Sequence, residues 1–169
     1  MKHVSPWVRK YSSLFPKEHP ILDVACGNGR HSFFMHELGH DVFATDRDVA
    51  AINATQIPVD ISIIEADLER QPWPFSTQIF SGVIVVNYLW RPLFQDIIDC
   101  LAPGGVLLYD TFAQGNEKYG RPRNPDFLLA PEELNNLCRQ NFDILEYFHG
   151  AIKGPKPAMR QSIAAIKKP

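Results

Sequence analysis

The chain has 169 residues, 45% hydrophobic and 21% charged, which is enough apolar material for one globular domain spanning 1–169. A formal net charge of -2 exerts no long-range pull on nucleic acid or an anionic membrane, so neither is expected as a partner and a small molecule is. Cys26, Cys100 and Cys138 are odd in number and form no C-x-x-C pair, which argues against a disulfide framework or a zinc site. No run approaches the roughly 20 apolar residues of a membrane span, and no signal-peptide core stands at the start. A reducing, cytoplasmic setting is therefore expected.

In chain order, residues 1–19 are polar with Trp7, Tyr11 and Phe15 spaced by four, the pattern of one amphipathic helix. That helix is either a lid or packing. Strand-sized apolar runs follow at Ile21–Val24, Val42–Thr45, Ile61–Glu65, Gly82–Val86, Gly105–Tyr109, Ile144–Phe148 and Ser162–Ile166. Helical patterns lie over Arg30–Leu38, Val49–Gln56 and Leu93–Leu101, with Gly39 placed as a C-cap and Pro103 just past a helix end. Alternation of strands and helices predicts an α/β fold, doubly wound on a mostly parallel seven-stranded sheet. The run Gly82–Val86 lacks period-two alternation, as a central strand covered on both faces must. Only the loop Gly150–Pro157 joins the last two strands, too short for a crossover helix, so the last strand is expected to run antiparallel. The long stretch Thr111–Ala130, with Gly115, Gly120, Pro122 and Pro125, reads as a functional loop.

Ile21 to Arg30 reads as a buried strand running into a glycine-rich turn and then a helix. Glycine there allows positive φ and lets a ligand approach the backbone, while the helix start offers free N–H groups to an anionic group. Gly27-x-Gly29 alone serves many nucleotides. Asp46, 17 positions beyond Gly29, ends the second strand where a carboxylate can accept from ribose hydroxyls, and Asp67-Leu68 follows the third where an adenine amino group can be held. Asp46 also suits a helix N-cap and Asp67 a turn.

These residues resemble the class I methyltransferases that use S-adenosylmethionine, whose first motif is an acidic residue, a hydrophobe and then Gly-x-Gly-x-Gly. Here it stands as Asp23-Val24-Ala25-Cys26-Gly27-Asn28-Gly29, with Ala25 in place of the first glycine. Leu101-Ala-Pro-Gly-Gly105 resembles the family's lead-in to its fifth strand, and Gly29-Arg30-His31 is similar to the small bacterial tellurite-resistance-type enzymes. The resemblance implies a Rossmann-like methyltransferase fold and S-adenosyl-L-methionine as cofactor. It places Asp23, Gly27, Gly29 and Arg30 at the methionine end, Asp46 at the ribose, Asp67 and Leu68 at the adenine, and Asn87 near the sulfonium, with Ala25 and Arg47 also among the cofactor-binding residues.

The implied reaction is methyl transfer to a small-molecule acceptor that is anionic or soft. No residue announces itself as a general base; Tyr88, Arg91 and Asp110 are catalytic candidates by position, and Arg121 and Arg123 are candidates for an anionic acceptor. Lys153 and Lys156 read as solvated charge around the last hairpin, and Arg160 stands with them as a loop charge without an assigned role. Asn87-Tyr88-Leu89-Trp90 lacks the prolines of base-modifying enzymes. His31, His36 and His40 do not form a ligand set, because Gly39 ends the helix between the last two, so no metal is expected. Two alternatives remain open. An NAD-dependent dehydrogenase would want glycine where Ser32 stands, and a non-catalytic cofactor-binding protein would share the whole pocket. Oligomeric state is not legible.

Overall fold

The computed structural model describes residues 3–169; Met1 and Lys2 of the predicted N-terminal helical segment lie outside the described residues. Seven strands, β1 (Ile21–Val24), β2 (Val42–Asp46), β3 (Ile61–Glu65), β4 (Phe80–Val86), β5 (Leu101–Phe112), β6 (Phe142–Ile152) and β7 (Ala158–Lys167), form one sheet. Their order is β3-β2-β1-β4-β5-β7-β6. The first five pair in parallel, and β7 runs antiparallel to both β5 and β6.

Among the described residues five α-helices flank the sheet: α1 (Pro6–Tyr11), α2 (Arg30–Glu37), α3 (Ala50–Asn53), α4 (Phe94–Asp99) and α5 (Glu133–Cys138). Alternate residues of β4 explain the two layers. Val83 and Val85 join the cluster containing Ile97 and Ile98 of α4 and Leu134 of α5. Ile84 and Val86 join the opposite cluster with Val8 of α1, Met35 of α2 and Ile52 of α3. Every residue of β4 is buried, as its unbroken apolar run requires.

All seven predicted strands are present, β1 and β3 with the predicted bounds and the other five longer. The lead-in Leu101–Gly105 belongs to β5 itself: Leu101 pairs with Phe80 and Val106 with Gly82, so the residues between bulge out around Gly104 at φ +78°. Proline and paired glycines in that stretch hide the strand from a sequence pattern. The last hairpin closes more tightly than expected, its strands reaching Ile152 and Ala158. Helix α3 is shorter than the predicted Val49–Gln56, and the Thr55 hydroxyl donates back to the Ile52 carbonyl at 2.6 Å just beyond its end. Gly39 does end α2, its N–H donating to the His36 carbonyl at φ +81°.

The N-terminal segment packs across the sheet. Ser5 caps α1 by accepting from the Trp7 N–H at 3.2 Å, the Trp7 indole donates to the Ile163 carbonyl, and Lys10 and Tyr11 both reach Glu146 on β6. Phe15 lies directly on Gly82, where an added Cβ would fall 2.1 Å from the ring. Gly82→Ala is therefore expected to destabilise by about 1–3 kcal/mol through overpacking. Urea denaturation checks it, and a Phe15→Leu background should recover part of the loss.

Candidate active site

The turn after β1 departs from ordinary backbone at three alternate positions: Ala25, Gly27 and Gly29 have φ of +53°, +58° and +74°. Each glycine has a different reason. A Cβ on Gly29 would lie 2.4 Å from Ile52 Cδ1, so α3 can close on the turn only over a bare backbone. A Cβ on Gly27 would meet nothing within 4 Å, which leaves an open cradle for a ligand. Ala25 accepts a left-handed conformation that suits the glycine of the family motif, at a cost of about 1 kcal/mol.

Asp46 joins the ends of β1 and β2. Its Oδ2 accepts from the Gly27 N–H at 2.8 Å and its Oδ1 from the Asp48 N–H at 3.1 Å. A carboxylate has about four acceptor sites, so two remain for hydroxyl donors. Beside it opens a cleft of about 390 Å³ at the carboxyl edge of the sheet. Ala25, Asp46 and Arg47 line one side, Ala66, Asp67 and Leu68 the other, and Asn87 with Tyr88 the end. Asp67 also works as a turn residue, accepting from the Glu69 N–H at 3.1 Å. Two acceptor carboxylates above the apolar surfaces of Ala66 and Leu68, together with the open Gly27 cradle, fit a purine nucleoside with an amino-acid tail.

Asp23 and Arg30 stand behind this cleft. Asp23 is buried and accepts from the Ser32 hydroxyl at 2.6 Å. Burial pushes its carboxyl up to about 7 from 3.8, against the pull of Ser32 and Arg30. Arg30 donates through Nε to His31 Nε2 at 3.2 Å and borders a different cleft, near Val4 and Phe34. The raised Asp23 carboxyl has a signed consequence. The unfolded group ionises near 3.8 and the folded one near 7, so its contribution to stability declines as pH rises through that interval. His31 acts oppositely: burial, helped by Arg30, lowers it to about 4, and its contribution is lost as pH falls below 6.5. Asp23→Asn, which keeps an acceptor for Ser32, should therefore gain stability over the parent on the order of a few kcal/mol at pH about 8 and far less at pH about 5. Equal gains at both pH values in chemical denaturation would exclude a buried, protonated Asp23.

The ends of β4, β5 and β7 form a second polar group. Asn87, at φ +60°, donates its N–H to the Asp110 carbonyl at 3.0 Å and accepts at Oδ1 from Arg160 Nη2 at 2.9 Å. Arg160 pairs with Asp110 at 2.8 Å, both side chains only 10% exposed. Ser162 and Ser5 add hydroxyl bonds to Asp110, and the Ser5 N–H donates to His31 Nε2. Arg160, read from the sequence as a loop charge without a role, is thus an internal ion-pair partner on β7. Its signal was available: Arg160 and Ser162 share a strand face whose other residues, Ala158, Ala164 and Ile166, are apolar.

Asn87 and Tyr88 border a further cleft of about 230 Å³ with Glu69, Phe112, Pro122 and Phe127. Sequence reasoning passed over Glu69, Phe112 and Phe127, which carry no motif. Burial raises the Tyr88 hydroxyl far above its usual range, so it stays protonated. Arg91 is engaged in structural bonds. It donates to both Glu133 oxygens and to the Asp126 and Leu128 carbonyls, stapling the loop after β5 to α5. Arg121 borders a third cleft, while Arg123 lines none of these three.

A strand-turn-helix cradle and two acidic strand ends at the carboxyl edge of this seven-stranded sheet are the features of the class I methyltransferase fold. The family model for a methyltransferase domain matches residues 21–105, half of the chain, and the chain belongs to that family. It is 28% identical over 148 residues to the tRNA U34 carboxymethyltransferase of Methylococcus capsulatus, covering 72% of this chain and 44% of that protein. The chain spans about half the length of the curated relatives it matches. TehB from Haemophilus influenzae superposes with a TM-score of 0.81 at 18% identity, over 99% of this chain and 64% of that one. The glycopeptide N-methyltransferase MtfA, in complex with S-adenosylmethionine, superposes with a TM-score of 0.65 at 18% identity, over 96% of this chain and 86% of that one. At these identities the structural likeness is one of fold. The family match does not favour the dehydrogenase alternative. No helix among the described residues is long and apolar enough to cross a membrane.

Proposed function

We propose that the chain transfers a methyl group from S-adenosylmethionine to a small-molecule acceptor that is anionic or soft. The observation that carries this is the meeting of the two clefts at Asn87 and Tyr88: one fits the methyl donor and the other is open to an acceptor. In this scheme Asp46 takes the ribose hydroxyls, Asp67 and Leu68 the adenine, and the turn from Ala25 to Gly29 the amino-acid end. Bound S-adenosylmethionine supplies a methyl group already activated on a sulfonium.

The protein's share is alignment and exclusion of water. Holding the acceptor in line at contact distance contributes about 7–11 kcal/mol toward the barrier. Because Asn87 Oδ1 accepts from Arg160, its amide nitrogen is left with two N–H groups to orient the acceptor. Phe127 and Tyr88 wall the junction on its apolar side. Glu69 borders both clefts and is the carboxylate available to an acceptor that must lose a proton. The buried, free cysteines, with Cys100 and Cys138 pushed up to about 12, offer no thiolate and suit a cytoplasmic setting.

Calorimetry with S-adenosylhomocysteine, then its release from S-adenosylmethionine over carboxylates, oxyanions, thiols and tRNA, tests the assignment. Binding with release on a small acceptor supports it. Binding without release on any acceptor would favour a cofactor-binding protein, and release on tRNA alone would move the acceptor to nucleic acid.

A further inference from the structure

Asn87 also borders the third cleft, of about 490 Å³, which opens between the loop after β5 and the β6–β7 turn. Arg121, Lys156 and Arg160 line it, and no Asp, Glu or His does. Among the described residues neither Arg121 nor Lys156 forms an ion pair. The charge of Arg160 is already matched by Asp110, so the uncompensated positive charge sits on the other two. Arg160 uses Nε and Nη2 on Asp110 and Asn87, which leaves Nη1 without a hydrogen-bond partner among the described residues in a side chain that borders the cleft. Phe112, beneath the Arg160 guanidinium at 4.7 Å, and Tyr119, 43% exposed, add flat apolar surface. The neighbouring cleft carries Glu69, so an anion is repelled there and attracted here.

We infer that this third cleft anchors the anionic group of the acceptor, a small organic carboxylate or phosphate whose apolar body lies against Phe112 and Tyr119 and whose reacting atom faces Asn87. The inference rests on the methyl-transfer reading and narrows its acceptor. Uncompensated cations at the outer wall with a charge-matched arginine inside suit an anionic handle remote from the reacting atom, since a carboxylate held tightly by cations is a poorer nucleophile. The absence of a base in this cleft is harmless when its occupant is a handle.

The probes are benzoate, phenyl phosphate and neutral benzamide, titrated by calorimetry and NMR into the protein loaded with S-adenosylhomocysteine. Saturable binding of either anion, with benzamide weak or silent, is expected, and the tighter anion identifies the handle. Arg121→Gln/Lys156→Gln should weaken the anion by about tenfold, as loss of a charge-assisted contact does, and leave S-adenosylhomocysteine affinity unchanged. Both side chains are exposed, so the variant is expected to fold; the two single variants, with thermal unfolding of each, report the same effect in smaller steps. Benzamide binding as tightly as the anions, no saturable binding of either anion, or a double variant that binds them as the parent does would overturn the inference. Failure of S-adenosylhomocysteine itself to bind would instead overturn the methyl-transfer reading.

Discussion

Arg160→Ala is expected to destabilise the protein by about 3–5 kcal/mol, the range for removing one partner of a buried ion pair. The cost comes less from the lost attraction than from what remains. Asp110 would keep only the hydroxyls of Ser162 and Ser5 around a carboxylate that is 10% exposed. The Asn87 amide would also lose the donor that sets its orientation. Adding Asp110→Asn should recover part of the stability by removing the orphaned charge, yet leave transfer impaired because Asn87 is still unheld. Arg160→Lys should retain the charge but not the fork that reaches Asp110 and Asn87 together. Urea unfolding read beside S-adenosylhomocysteine affinity separates these effects. A loss within about 1 kcal/mol, typical of exposed pairs, would mean that Asp110 is solvated after all.

Asp46→Ala should lower S-adenosylhomocysteine affinity by about 100-fold, equivalent to about 2.7 kcal/mol. The substitution removes the predicted ribose contacts and also frees the Gly27 and Asp48 N–H groups. The cradle and the ribose site would therefore loosen together. Asp46→Asn, with one oxygen kept, should fall between. Calorimetry is the direct measurement, and an alanine variant with unchanged affinity would remove Asp46 from the site.

Much of the cleft beside Asp46 was legible in the chain because each element there is local. Gly27, Asp46 and Asp67 each follow an apolar strand run directly, and parallel strands place all their carboxyl ends along one edge. Asp23 shows the limit of that reasoning. Its place in the motif points to the ligand, yet its carboxyl bonds to Ser32, nine residues on, with its side chain buried inside. Helix α5 was passed over in the sequence although Leu134, Leu137 and Cys138 stand at helical spacing, because it is short and follows the long loop; Glu133 supports its start by accepting from the Ala130 N–H at 2.7 Å. Arg91 looked catalytic for its nearness to a strand end, and only the return of the chain through Glu133 reveals it as a staple.

The sequence by itself determined the parallel sheet, its antiparallel last strand and the cradle, because periodicity, glycine placement and strand-end acids are properties of neighbouring residues. Tertiary structure alone decided the network of Arg160, Asp110 and Asn87. Arg160 meets Asp110 across 50 positions and Asn87 across 73, and these distances close only when β7 inserts antiparallel between β5 and β6. Whether a charged residue is solvated or buried in a pair depends on that insertion, and one-dimensional spacing does not encode it.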